Sequence, residues 1–527
     1  MTSETYETLN KAWKQTCKIL LGEEMGELKS YEDWLWKYSK PEMMHRKSGR
    51  GKDVFTYVHD YCRDARFVSL DEIDFGKKQE PLNINEIKDI DSIVEAIEER
   101  FAYAGNIVLG NSKDVERSSD IHNSFHILDC GSTYECEYGA YSYSLNMNMK
   151  YAFGCSMVGG GSQFMVRCCN STASSRCLES WNALFSSDIY FSFNCENVQN
   201  ALFSFNLKNR RNAIGNIELP RDKFAELKAK LLAEIREKLK RDKSLPGITD
   251  ILSGNGRKPD VDASVFEAKD EEGDIRLIEE AFSETTGIIL GKRLVGIDNY
   301  GKWLGRNIYP VEILKSTVTR RKTYHGMLAL PFADMPKDRL VKESEAWKLG
   351  EMLKMDEKDI VSLERIMDSL WKIAFFTSEV RLKVNKNVID VVCAYGSVNC
   401  YNGVKFVITE NAALSFLPRS SKYIFGSNMA MSSSFAIRSH YSSGISRGFE
   451  VDSCSGCSDI YYSHNCENVH DSMFCFNVKN LRNAIGNGVL PIEKYNAVKK
   501  SLLEQIVTEL ETKKTLRWDI YNIGCAK

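Results

Sequence analysis

The stretch NCENVQNALFSFNLKNRRNAIGN, which begins at Asn194, returns as NCENVHDSMFCFNVKNLRNAIGN at Asn465. A chain carrying so unusual a sentence twice is constrained to build the same local structure twice. Aligned without gaps, residues 187–220 and 458–491 are identical at 23 of 34 positions. The correspondence continues upstream, where KYAFG at Lys150 answers KYIFG at Lys422 and SRCLE at Ser175 answers SRGFE at Ser446. Near each start, ILLGEEMGELKSYEDWL answers IILGKRLVGIDNYGKWL. The offset between matching blocks hardly drifts, so the expectation is a tandem duplication of one architecture.

The repeat also predicts its own secondary structure. Tyr190, Ser192 and Asn194 are kept in the second copy, whereas Phe191 and Phe193 become Tyr462 and His464. Invariance at every second residue is the period of a strand. Asn194, Asn206 and Asn216 recur at spacings that Asn465, Asn477 and Asn487 reproduce. Short strands ending in Asn or Gly at near-regular intervals predict the rungs of a β-solenoid. Asn tolerates a left-handed corner and can ladder with the Asn of the next rung, and small residues with free Cys suit a narrow interior. An antiparallel sheet remains the open alternative. Phe224, Leu227, Leu231, Ile235 and Leu239 share one helical face after Pro220, which suits a first helical turn.

The expected fold is therefore α+β, with each half a helical region, a β-solenoid-like stack and a C-terminal capping helix. The boundaries read 1–125, 126–219 and 220–243 for the first copy, 244–274 for a linker, and 275–388, 389–490 and 491–527 for the second copy and tail. Gly215 and Gly486 stand where the chain leaves each stack. They predict a backbone conformation, or a close approach, that a Cβ would forbid. The terminal helix is expected to lay Phe224 or Tyr495 across the last rung.

Composition excludes several classes of function. A formal charge of −2 over 527 residues gives no electrostatic reason to expect nucleic acid as a partner. No apolar run approaches the length of a membrane span. Sixteen cysteines without a secretion signal predict reduced thiols and a cytoplasmic setting.

Motif by motif, the chemistry thins out. Cys454-x-x-Cys457 is half a zinc site, and its counterparts are Ala183 and Ser186. His122 and His126 lack the metalloprotease glutamate and have no histidine counterparts, and GIILGKR at Gly287 is one residue short of a phosphate loop. What both copies keep is charge, in Arg176 and Glu179, Arg447 and Glu450, Asp188 and Asp459. These predict ion pairs along a wall, with a ligand groove as the alternative. Asn194 and Asn465 join them as interaction candidates, and Cys195 and Cys466 are the only thiols at matching positions.

The phrases SDIYYSHNCENVHDSMFCFNVKNLRNAIGN and SRGFEVDSCSGCSD resemble uncharacterised Cys/Asn-rich repeat proteins of tailed phages and uncultivated prokaryotes. The resemblance covers the repeat regions and implies a virion or assembly component, with no catalytic residue and no cofactor. The expected function is a non-enzymatic structural or interaction protein whose partners are other proteins or copies of itself. Two other readings stay open. One is an iron–sulfur scaffold resembling the SUF β-helix proteins, with Cys195 and Cys466 as thiols. The other is a carbohydrate-active β-helix protein, which needs clustered acids in a groove.

Overall fold

The computed structural model describes residues 3–40, 43–77, 79–82, 87, 89–253, 256–266 and 273–525. Residues 254–255 and 267–272 of the expected linker therefore lie outside the described residues. The fold is α+β, built on two large sheets whose strands pair in parallel almost throughout. Two short hairpins, Met44–Lys47 with Asp53–Thr56 and Glu312–Lys315 with Lys322–His325, are antiparallel, as is the final pairing at the end of each large sheet.

The parallel pairing has one repeating step. Ser175 pairs with Ser187, which pairs with Gln199, which pairs with Arg211. In the second sheet Ser434 pairs with Ser446, Ser458 and then His470. Each of these links joins residues 12 apart, as do side-chain bonds that run along the sheets, whereas the links from Tyr143–Phe153 onward to the next strands and those at the start of each sheet span 13. The first sheet already begins at Val108, paired with Ile121, and the second at Val380, paired with Cys393. Both starts fall upstream of the expected boundaries at 126 and 389, because strands interrupted by charged and polar residues, as in VRLKVNKNVI from Val380, leave little hydrophobic signal.

Within each step the backbone turns at every third residue. From Arg176 to Asn212 every third residue has positive φ, and the same holds from Arg447 to Asn483, with Gly456 among them. A left-handed residue bearing a Cβ costs on the order of 1 kcal/mol, least for Asn and Asp, which accounts for the Asn content. The residue after each left-handed one points inward, giving columns such as Cys177–Ile189–Ala201–Ala213 and Ala183–Cys195–Leu207, all buried. Such tight turns leave amide groups facing the interior, and serine satisfies them. The amides of Ser174, Ser186 and Val198 each donate to the Ser Oγ one step earlier, at 3.0–3.1 Å. The amides of Ser204 and Asn216 do the same on Ser192 and Ser204. Ser is thus an interior residue here for a stated reason: an unpaired buried amide costs about 1–3 kcal/mol.

Helices lie along the flanks. α1 (Glu4–Leu21) begins at Ser3, whose side chain accepts the Tyr6 amide, and buries Leu9, Trp13, Cys17 and Leu20 against the first sheet. The Tyr190 hydroxyl donates to the Leu20 carbonyl at 3.0 Å. α2 (Ile90–Ile97) presents Ile90, Ile93, Val94 and Ile97 to the core of the second sheet. α3 (Arg221–Asp242) follows the first sheet and α4 (Arg276–Leu290) flanks the second, where the Tyr461 hydroxyl donates to Ile289 at 2.9 Å. α5 (Glu343–Met352) and α6 (Leu363–Ser369) precede the second sheet, and α7 (Ile492–Lys513) closes the chain.

The ends of the sheets are covered crosswise, which corrects the expected capping. α5 packs on Phe205–Lys208 of the first sheet, and a Cβ on Gly350 would collide with the Asn206 carbonyl. Asn206 Nδ2 donates to the Phe375 carbonyl at 2.9 Å, Asn216 Nδ2 to Leu353 at 3.1 Å, and the Phe376 ring lies 4.9 Å from Phe193 and 5.5 Å from Phe205. Conversely, Asn477 Nδ2 donates to the Ala102 carbonyl at 2.7 Å, and the Tyr103 ring lies 5.8 Å from Phe476. Each last strand is thus sealed by a segment that precedes the other sheet. The terminal helices run along the flank, and α3 also touches the last strand, Arg211–Ile214, with Phe224 buried in the same core as Ile214, as the sequence led one to expect. Lys228 of α3 sits over both the Tyr190 and Phe224 rings, and Lys499 of α7 over both Tyr461 and Tyr495. A lone amphipathic helix could not satisfy the orphaned carboxamides of the last step, whereas an extended segment offers carbonyls in the right register.

A second correction concerns the cysteines. Fourteen are buried free thiols, but Cys62 and Cys525 form a disulfide across a sequence separation of 463. Spacing could not foretell a bond between residues so distant. Among the described residues, no helix is long and apolar enough to cross a membrane.

Candidate functional site

The charged residues shared by the two repeats pair along the 12-residue step, and Arg176 and Arg447 do not pair with Glu179 and Glu450. Arg176 meets Asp188 at 2.6 Å and Arg447 meets Asp459 at 2.5 Å, both partly exposed. Glu179 and Glu450 turn the other way, into the core, toward Arg167 and Arg438. Glu179 also accepts the Tyr38 hydroxyl, and Glu450 accepts the Ile520 amide at 3.1 Å. Burial pushes the Glu179 carboxyl up and that of Glu450 up to about 7, with Arg167 and Arg438 opposing the shift. These four acids and their arginines hold steps together; none of them meets in a groove.

Asn194 and Asn465 occupy left-handed corners and donate to Asn206 at 2.9 Å and Asn477 at 2.8 Å. Gly215 and Gly486 have φ of 56° and 58°. A Cβ there would meet Met355 at 2.6 Å or Ile97 at 2.8 Å, so the close approach is to the crossed cap and not to the previous step. Cys195 and Cys466 lie in interior columns. Burial pushes the Cys195 thiol up to about 12 and that of Cys466 well up, so neither is a thiolate at neutral pH. Among the described residues, no three His, Cys, Asp or Glu side chains are arranged to hold a metal ion.

A different place gathers groups suited to binding. Between the two sheets lies a cleft of about 370 Å³, lined on one side by Asn146, Met157, Asn170 and Phe185 and on the other by Tyr395, Lys405, Val407 and Arg419. Most of its wall is aliphatic or aromatic, and no carboxylate lines it. Three cations do, Lys383, Lys405 and Arg419, and Lys383 lies over the Tyr395 ring. Lys405 Nζ donates to Asn170 Oδ1, and the Arg419 guanidinium has no hydrogen bond or ion pair among the described residues. The acceptor is available for a reason legible in the backbone. Asn170 Nδ2 donates onward to Asn182 at 2.7 Å, but the left-handed residue one step earlier is Met157, which has no amide to donate back. Burial lowers Lys405 to about 8 and Arg419 to about 10, and the charge of Arg419 lowers Lys405 further. Asp120, bonded to His122 at 3.1 Å, lines a small adjoining cavity that Arg419 also reaches.

Sequence reading passed over Lys405 and Arg419 because it weighed residues shared by 187–220 and 458–491, and these two lie outside that match. The one available signal was an odd one: Lys405 interrupts the apolar run Val404–Val407. The acid pair that glycoside hydrolysis needs has no seat in the cleft. No known protein family, curated protein or solved structure matches this chain.

Proposed function

We propose that the chain is a tandem duplication of a β-solenoid module and acts as a non-enzymatic structural or interaction protein, a component of a larger assembly. The step of 12 or 13 residues, the left-handed corner at every third residue and the Ser-lined interior support the solenoid reading. The observation that carries the functional reading is the crossed capping. Phe375 and Phe376 seal the first stack and Ala102 and Tyr103 the second, so both open strand edges are closed within the chain. What remains for partners is the laddered side of each stack, where Arg176–Asp188, Arg447–Asp459 and the Asn197–Asn209 and Asn468–Asn480 ladders present rigid, regularly spaced polar groups. The protonated thiols of Cys195 and Cys466 weigh against an iron–sulfur scaffold.

Native mass measurement of the particle from its source, with co-purifying chains identified, tests the reading. A stable assembly of this chain with itself or with other proteins is expected. A lone monomer that turns over a small-molecule substrate would sink it.

A further inference from the structure

We propose that the cleft between the two sheets binds a small carboxylate-bearing amphiphile, its carboxylate held by Lys405 and Arg419 and its apolar body lying against Phe185, Leu184 and Val407. The argument begins with charge. Three cations, Lys383, Lys405 and Arg419, line one largely apolar cleft and no acid does; Lys383 lies over the Tyr395 ring, and the only protein partner of Lys405 and Arg419 among the described residues is one amide oxygen, that of Asn170. Elsewhere in this molecule the fully buried Arg167 and Arg438 are matched by Glu179 and Glu450 and Arg339 by backbone carbonyls, whereas Lys405 and Arg419 are half-buried with no acid. An unmatched pair of cations is costly to enclose, and a bound anion removes that cost. The guanidinium fork fits a carboxylate through two parallel bonds.

The walls then choose among anions. The cleft is within the size range of small-molecule sites and is mostly apolar with few polar groups converging at one place. A bare inorganic anion would leave the surfaces of Leu184, Phe185 and Ile408 unused, whereas an acid with an aliphatic or aromatic body covers them. Phe185 and Ile408 are 48% and 52% exposed, high for side chains of that size, and both border the cleft. Their exposure marks the apolar end. The site is formed by both sheets together, since Asn170 comes from one and the two cations from the other, so a ligand there would also tie the sheets to each other.

Calorimetric titration of the full chain with decanoate, decanol and inorganic phosphate tests the proposal. Decanoate is expected to bind with 1:1 stoichiometry, at least ten-fold more tightly than decanol or phosphate. Lys405→Met with Arg419→Met should weaken decanoate at least ten-fold and leave decanol unchanged. Should that double variant fold poorly, Phe185→Ala, at an exposed position, should weaken decanoate several-fold without altering thermal unfolding of the free protein. Equal binding of decanol and decanoate would overturn the role of the cations. Phosphate binding without decanoate binding would overturn the amphiphile, and no binding of decanoate would overturn the proposal outright.

Discussion

Residues Cys169, Trp181, Phe193 and Phe205 form one column of the first sheet, and His440, Asp452, His464 and Phe476 form the corresponding column of the second. All are buried. The first column is apolar and meets apolar neighbours, with Phe332 stacked 5.8 Å from Trp181 and Phe376 against Phe193. The second is polar and meets hydroxyls and amides. Asp452 accepts from His464 Nδ1 and from the Tyr61 hydroxyl, each at 2.8 Å, and His464 Nε2 accepts the Ala104 amide at 2.8 Å. Because a backbone N–H can only donate, Nε2 is the accepting nitrogen of His464, and Nδ1 faces Asp452. The same backbone path therefore carries either chemistry, provided the segment crossing over from the opposite region matches it. The difference teaches that cap and column are one unit: an apolar column takes an apolar cap, and a hydrogen-bonding column takes a cap with donors.

The largest test of this contrast is the buried arginine. Arg438 reaches Glu450, Asn307 and the Trp303 carbonyl, whereas Arg167 reaches Glu179 and the Leu245 carbonyl. Arg438→Met should cost about 3–5 kcal/mol by leaving an enclosed carboxylate without its partner. Arg167→Met should cost less, because Glu179 keeps the Tyr38 hydroxyl and Arg167 makes fewer bonds. Denaturant unfolding of both variants checks the ranking; equal costs would remove the asymmetry.

Next come the two glycines at the ends of the sheets. Gly215→Val and Gly486→Val should each destabilise by about 1–3 kcal/mol, through strain at positive φ and collision with the crossed cap. Gly486→Val is expected to be the worse, since it meets the β-branched Ile97 of α2 while Gly215 meets the adaptable Met355. Thermal unfolding with light scattering reads both stability and the aggregation expected of an uncovered strand edge. Unaltered melting would mean that the crossed caps contribute nothing at these contacts.

The smallest effect is a pH dependence confined to the second column. His440 is fully buried, neither ring nitrogen has a hydrogen-bond partner among the described residues, and burial, aided by Arg438, holds its pKa well below the usual histidine range. The folded state therefore binds this proton less readily than the unfolded chain, and stability is lost as pH falls below about 6.5. Glu450 acts with the opposite sign: raised to about 7, it loses stability as pH rises through that value. The two trends overlap, so a variant must separate them. Relative to the wild type, His440→Leu should gain up to about 1.4 kcal/mol per pH unit on acidification below 6.5. A difference that does not change with pH would show that His440 is not buried neutral. The corresponding Cys169→Leu should show no such slope.

Much of this was legible in the sequence, and the limits have physical causes. The duplicated sentence, the strand period and the Asn at corners all follow from local rules, since a left-handed turn selects Asn wherever it occurs, and parallel stacking lets each Asn bond its successor. Cys195 and Cys466 as enclosed thiols followed from their small, polar neighbours. Asn spacing also implied a ladder, although the role of Ser in receiving inward amides emerges only when the turn at every third residue is seen. The crossed caps, the Cys62–Cys525 bond and the Lys405–Arg419 cleft were not legible. Each joins residues tens to hundreds of positions apart, from segments with no shared periodicity, and which segment seals which end depends on how the two sheets sit side by side. Local propensity determines what a step looks like. Only the packing of one sheet's helices and loops against the other decides where a strand edge is closed, which column must be polar, and where cations line a cleft without an acid.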